Sequence, residues 1–218
     1  MAGSLYLGSN KVCPAIVISN PVILDMYDVN ENGKVIPKEV IDGSGIKIID
    51  KTYIGRNISY FLNYYSGNNS SIITEFNFPD LEEISDSCFY DVCYGQIKLE
   101  SFDFQKLKKI GNDGLWRGFG NSKITVANFS SLEELGSEAL ASCFLYCSLI
   151  EDIYFNSLKT TSFGNYTDQL DDIVWKGRGD VTCTIHFPSN LESTIEQLDG
   201  YPNFGRGTQL AFDLPETE

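Results

Sequence analysis

ITEFNFPDLEEISDSCF runs from Ile73 to Phe89, and its pattern returns three times. LESFDFQKLKKIGNDGL covers Leu99 to Leu115, ITVANFSSLEELGSEAL covers Ile124 to Leu140, and IEDIYFNSLKTTSFG covers Ile150 to Gly164. The anchor leucines Leu81, Leu107, Leu132 and Leu158 are 26, 25 and 26 residues apart. Eight residues before each stands Ile73, Leu99, Ile124 or Ile150, and three before each stands Phe78, Phe104, Phe129 or Phe155. Three after come Ile84, Ile110, Leu135 and then Thr161, where the pattern weakens. A unit of this size cannot bury its apolar face alone. Successive units therefore stack and share one core, each supplying a short strand, a turn and a second apolar rung. The segments between rungs, such as Tyr90 to Gln96 and Trp116 to Ser122, vary in composition and are expected to bulge from one edge as loops or short helical turns.

FPDLEEISDSCF and SSLEELGSEAL resemble the BspA-like class of leucine-rich repeats. That family's units carry a Leu/Ile-Pro strand, then L-x-x-I-G, then Ala-Phe and often Cys. Gly111 and Gly136 stand at the family's glycine, while Ser85 replaces it in the first unit. Cys88-Phe89 and, more loosely, Ala139-Leu140 stand at its Ala-Phe. The resemblance implies a mainly β chain with short helical turns: a leucine-rich-repeat solenoid with an N-terminal β-hairpin region and a C-terminal cap. The expected division is an attachment or capping region at 1–71, four repeat units at 72–170, and a capping unit at 171–218.

The flanks fit that plan. TCTIHF, Thr182 to Phe187, reads as a strand, and Ser189-x-x-Glu192 reads as a capping box opening a short helix that ends near Gly200. Gln209 to Leu214 reads as a last strand, and Ile46 to Ile54 as a degenerate first repeat. LYLGSNKVCPAIVI carries a hairpin signal at Gly8-Ser9-Asn10. This opening resembles the start of tail-associated proteins encoded by phages and prophages of gut Firmicutes. The resemblance implies a virion protein, made in a host cytoplasm, that contacts the host surface or another virion protein. A bacterial adhesin or scaffold, in the cytoplasm or at the cell surface, is the alternative.

Composition narrows the partners. The formal net charge is -14, which disfavours a phosphate-backbone grip on nucleic acid and an anionic membrane surface. The longest apolar stretches, Pro14 to Ile18 and Val22 to Leu24, are too short to span a bilayer, and MAGSLYLGSNKV has no secretory pattern. The expected partners are a protein or a cell-surface glycan, other virion proteins, and further copies of the chain. The six cysteines, Cys13, Cys88, Cys93, Cys143, Cys147 and Cys183, read as reduced core thiols, as expected of a chain this long with no secretory pattern, and they lack the matched pairs of a zinc site.

DVNENGKVIPKE, Asp28 to Glu39, has the spacing of a calcium loop, with Asp28, Asn30, Asn32 and Glu39 as candidate ligands. Its flanks do not read as helices. IVISNPVILDMY is β-branched and interrupted by Pro21, and Gly43-Ser44-Gly45 ends any helix after Lys38. Asn32-Gly33 is a hairpin turn signal, and a turn is the preferred reading over calcium.

Catalytic signatures are sparse. His186 is the one histidine, lies in an expected strand, and has Cys183 on the opposite face, which gives it a structural or surface role. Trp116-Arg117-Gly118-Phe119-Gly120 lacks the Lys-Ser/Thr of a phosphate loop. Carboxylate pairs such as Glu82/Glu83, Glu133/Glu134 and Asp171/Asp172 would suit a polysaccharide-degrading enzyme, but Glu82 and Glu133 recur at one repeat position, as solvated rungs do. No catalytic residue and no cofactor is assigned. Aromatics cluster at the variable ends of the units. Phe89, Phe119 and Phe144 are assigned to the core, and Tyr90, Tyr94, Trp116 and Tyr146 to a contact surface.

Overall fold

The computed structural model describes residues 6–7, 10–11, 27–29, 35–49, 73–163, 168–175, 182–197, 204–205 and 207–217. Their regular elements are mostly strands, paired chiefly in parallel, with few helical turns and no closed barrel. Two antiparallel pairs come first. β1 (Tyr6–Leu7) pairs with β2 (Asn10–Lys11), the hairpin signalled by Gly8-Ser9. β3 (Tyr27–Val29) pairs with β4 (Val35–Pro37) in the register Val29↔Val35, so strands stand on either side of residues 30–34, where a helix-loop-helix calcium site needs helices. Asn30 and Asn32 lie outside the described residues.

From Val40 onward the chain lays down strands in pairs. β5 (Val40–Asp42) is followed by β6 (Ile48–Ile49), β7 (Glu75–Asn77) by β8 (Glu83–Ile84), β9 (Ser101–Asp103) by β10 (Lys109–Ile110), and β11 (Val126–Asn128) by β12 (Glu134–Leu135). The shorter strands form one continuous parallel sheet in the order β12-β10-β8-β6. Its register is Ile48↔Glu83↔Lys109↔Glu134, so from Glu83 onward the 25–26-residue spacing of the sequence is the spacing of the pairing. The longer strands form two parallel groups. The first is β5-β7-β9. In the second, β11 continues through β14 (Asp152–Tyr154) and β16 (Cys183–Pro188) to β17 (Thr208–Leu214).

The stack therefore reaches back into the segment set apart as 1–71. Ile41, Ile46 and Ile49 are buried at the positions that Phe76, Leu81 and Ile84 occupy 35 residues later. That unit differs from the others at Gly43, which stands where Phe78 stands in the next. A Cβ on Gly43 would run into the Phe78 ring, so the glycine makes room for its neighbour's phenyl group.

The third side of the stack is made of tight turns. Ser87, Asp91 and Gly95 have positive φ, as do Asp113, Arg117 and Asn121, and then Glu138, Ser142 and Tyr146. A left-handed residue at every fourth position sends alternate N–H groups across to the next unit. Phe89, Asp91, Cys93 and Gly95 donate to the carbonyls of Gly114, Trp116, Gly118 and Gly120. The ladder repeats from Leu115, Arg117 and Phe119 to Ala139, Ala141 and Cys143. Left-handed non-glycine residues cost on the order of 1 kcal/mol each, offset here by satisfied backbone groups. The ladder ends in a two-stranded parallel pair of β13 (Phe144–Leu145) with β15 (Val174–Trp175).

Between the sides runs a file of phenyl rings. Phe76, Phe78, Phe89, Phe104, Phe119, Phe129, Phe144, Phe155 and Phe187 are all buried. Phe129, Phe155 and Phe187 stack in turn with centroids 5.5 Å apart at each step. Burying one such ring contributes about 2–3 kcal/mol, so this file is the main source of cohesion. Cys88, Cys93, Cys143, Cys147 and Cys183 are free thiols buried in it, as expected; Cys13 lies outside the described residues.

At the C-terminal end the weakening at Thr161 is seen in the backbone, and one expectation is corrected. Where Thr161 breaks the pattern, a 3-10 turn (Thr160–Phe163) replaces the second strand. The Ser189-x-x-Glu192 capping box does not form: Ser189 lies inside a 3-10 turn (Ser189–Leu191), and α1 (Glu192–Glu196) is capped by Leu191 with no side-chain bond. Proline at 188 starts the turn immediately after the strand, so the serine is already helical where a cap should be extended.

Candidate binding face

Three of the four expected contact aromatics come together on the turn side, around a residue the sequence did not single out. The Tyr90 and Trp116 rings stack with centroids 4.5 Å apart at 19°. The Arg117 guanidinium lies 4.9 Å from the Trp116 ring and 4.2 Å from the Tyr94 ring. The order is therefore tyrosine, tryptophan, arginine, tyrosine, across two neighbouring units. All four side chains are half-buried. Tyr146 stands one unit further on, 49% exposed, at a left-handed position of its own.

Local geometry explains the placement. The bond from Asp91 N–H to the Trp116 carbonyl fixes the two units in step, which sets Tyr90 beside Trp116. Arg117 follows with φ 51, a turn conformation that points consecutive side chains apart. Gly120 makes the cluster fit, because a Cβ there would sit 2.5 Å from Tyr94 Cδ2. The Trp116–Gly120 stretch thus has a steric use for its last glycine and an organising use for its arginine.

Arg117 also faces Asp91, with Nε 3.5 Å from Oδ1. Both atoms are shut from solvent and make no hydrogen bond among the described residues. Burial raises the Asp91 carboxyl above its ordinary range, and the guanidinium pulls it back only in part. A cation fixed over two ring faces is worth about 0.5–2 kcal/mol, more as it loses water. The arrangement gives a half-buried stack of rings gathered around one positive charge.

The other candidates fall elsewhere. Glu82, Glu83, Glu133 and Glu134 line the short-stranded sheet beside Lys47, Lys108, Lys109 and Lys159, alternating in sign from strand to strand. Lys159 Nζ lies 2.6 Å from Glu133 and Lys47 lies 3.6 Å from Glu82. Asp171 lies in an acidic edge with Asp168 and Asp172; burial first, then these neighbours, raises its carboxyl. His186 is on the open face of β16 and Cys183 on the buried face, as the alternation requires. Among the described residues no group of three His, Cys, Asp or Glu side chains is placed to hold a metal ion, and no helix is long and apolar enough to cross a membrane.

Comparison with protein-family models, with curated proteins and with solved structures finds no match to this chain.

Proposed function

We propose that this chain is a non-catalytic binding module, a leucine-rich-repeat solenoid of the BspA-like class that presents the Tyr90–Trp116–Arg117–Tyr94 face to a partner. The parallel register at 25–26 residues, the recurrent Leu and Phe rungs and the glycines at 111 and 136 support the repeat architecture. The observation that carries the binding reading is the arginine held between Trp116 and Tyr94. Tryptophan, tyrosine and arginine are the residues that dominate binding energy at interfaces, and pre-ordered ones lose little entropy on contact. Ring faces also stack on sugar rings, so the partner is a cell-surface glycan or a protein surface.

The opening LYLGSNKVCP, with its observed β1–β2 pair, supports placing the module in a phage or prophage virion, near the tail, touching the host or a neighbouring virion protein. Mass spectrometry of purified particles tests the placement, and binding to host cells and envelope polysaccharides tests the face. Trp116→Ala should cut binding tenfold or more in a chain that still folds. Face-dependent binding by a chain missing from particles would move the reading to a bacterial adhesin or scaffold. Release of saccharide products, abolished by one carboxylate substitution, would overturn the non-catalytic reading.

A further inference from the structure

His186, the chain's one histidine, is held by carboxylates on both neighbouring strands. Nδ1 lies 2.9 and 3.0 Å from the two oxygens of Asp213 on β17, and Nε2 lies 3.2 Å from Asp152 Oδ1 on β14. The ring stacks on Tyr154 of β14, centroids 4.4 Å apart at 12°, and its side chain is only 14% exposed.

The strand register explains the geometry. β16 and β17 pair in step from Cys183↔Thr208 to His186↔Ala211, but Pro188 then pairs with Leu214. β17 therefore carries one extra residue across this step, a bulge, and bulges re-aim side chains. Without it Asp213 would stand opposite Pro188; with it Asp213 is drawn back to His186. β17 is otherwise fastened by half-buried Leu210 and Phe212, by the Phe187–Phe212 stack at 5.8 Å, and by bonds between Asn190 and Thr217 near its end.

A neutral imidazole has one N–H and can serve only one of the two carboxylates, leaving the other against a lone pair. An imidazolium donates to both and sets one positive charge between two negative ones. The groups that face the ring are Asp152 and the Tyr154 ring from β14 and Asp213 from β17. We infer that His186 is a proton-operated latch, which fastens β17 to β14 and β16 when the ring is charged and loosens that strand when the proton leaves. The inference is independent of the binding face.

Burial, the largest single influence, would alone lower the His186 pKa, but the bonds to Asp213 and Asp152 and the charges of both carboxylates together outweigh it and leave it raised above 6.5. A raised folded-state value means that the latch is complete below the ordinary histidine value and is lost as pH rises through the folded one.

A single histidine gives a single imidazole signal, so NMR titration of the full chain reads the latch directly. The wild type should titrate above 6.5, and Asp213→Asn and Asp152→Asn should each bring the midpoint down. Amide protection in β17, corrected for intrinsic exchange, should fall by up to about tenfold per pH unit between the ordinary and the folded value. Amides of β8 and β10 should not follow, and Asp213→Asn should flatten the β17 profile. A wild-type midpoint at or below 6.5, or β17 protection indifferent to pH, overturns the latch.

Discussion

Tyr90 and Trp116 are 26 residues apart in the chain and face to face in space, ring centroids 4.5 Å apart. Arg117 extends this pair to Tyr94, so the face is a stack whose members depend on one another. Arg117→Lys should not be a conservative change, because an ammonium lacks the flat guanidinium that lies on two rings. The expected result is a several-fold loss of partner binding with little loss of stability. Affinity measurement alongside thermal unfolding separates the two effects.

Gly111 and Gly136 are expected to be intolerant positions. A Cβ on Gly111 would lie 2.5 Å from Asp86 Oδ1 and 2.7 Å from its backbone nitrogen; on Gly136 it would lie 2.6 Å from the Asn112 nitrogen. The same two residues bond across units: Asp86 Oδ1 takes the Asn112 N–H, and Asn112 Oδ1 takes the Ser137 N–H. Gly111→Ala and Gly136→Ala should therefore each cost about 1–3 kcal/mol in chemical denaturation, through forced separation of neighbouring units.

The alternating charges Lys47, Glu82, Lys108, Glu133 and Lys159 should guard the order of the units. Lys108→Glu would place three carboxylates on adjacent strands, and like charges opposite one another cost up to about 1 kcal/mol. The unfolding midpoint should drop and recover partly in high salt. The hydrogen bond from Lys159 holds the Glu133 carboxyl below its usual range, with smaller help from the Lys159 and Lys108 charges. Its contribution is therefore present above the unfolded value of 4.5 and lost as pH falls through the folded one, so Lys159→Ala should soften acid unfolding.

Cys93 and Cys143 should be silent in the native state. Burial raises both thiols well above the ordinary value, which removes the nucleophilic thiolate. Alkylation followed by peptide mass spectrometry should leave both unmodified in buffer and modify both in denaturant. Native-state labelling at either position would contradict the packed core.

The rungs were legible in the sequence because burial is periodic: Leu81, Leu107, Leu132 and Leu158 all reach the interior. The break at Thr161 was legible for the same reason, and the antiparallel β3–β4 pair was legible from the turn signal between its strands. The unit at 40–49 was harder to see. Its interval is 35 residues instead of 25–26, and Gly43 replaces the phenylalanine that marks the others. The turn ladder was hidden because left-handed Ser87, Asp91, Arg117 and Tyr146 share a conformation but no side-chain type. Arg117 was missed for a related reason: sequence reading selected aromatics, and what organises these is the cation between two of them. The bulge that turns Asp213 toward His186 left no pattern, since it is a one-residue mismatch between two strands.

The most direct test of the account is binding of the full chain to a panel of bacterial envelope polysaccharides and surface proteins, with Trp116→Ala measured beside it. The account predicts saturable binding by the wild type, weakened tenfold or more by a Trp116→Ala chain that still unfolds cooperatively. Equal binding by the two proteins would contradict it.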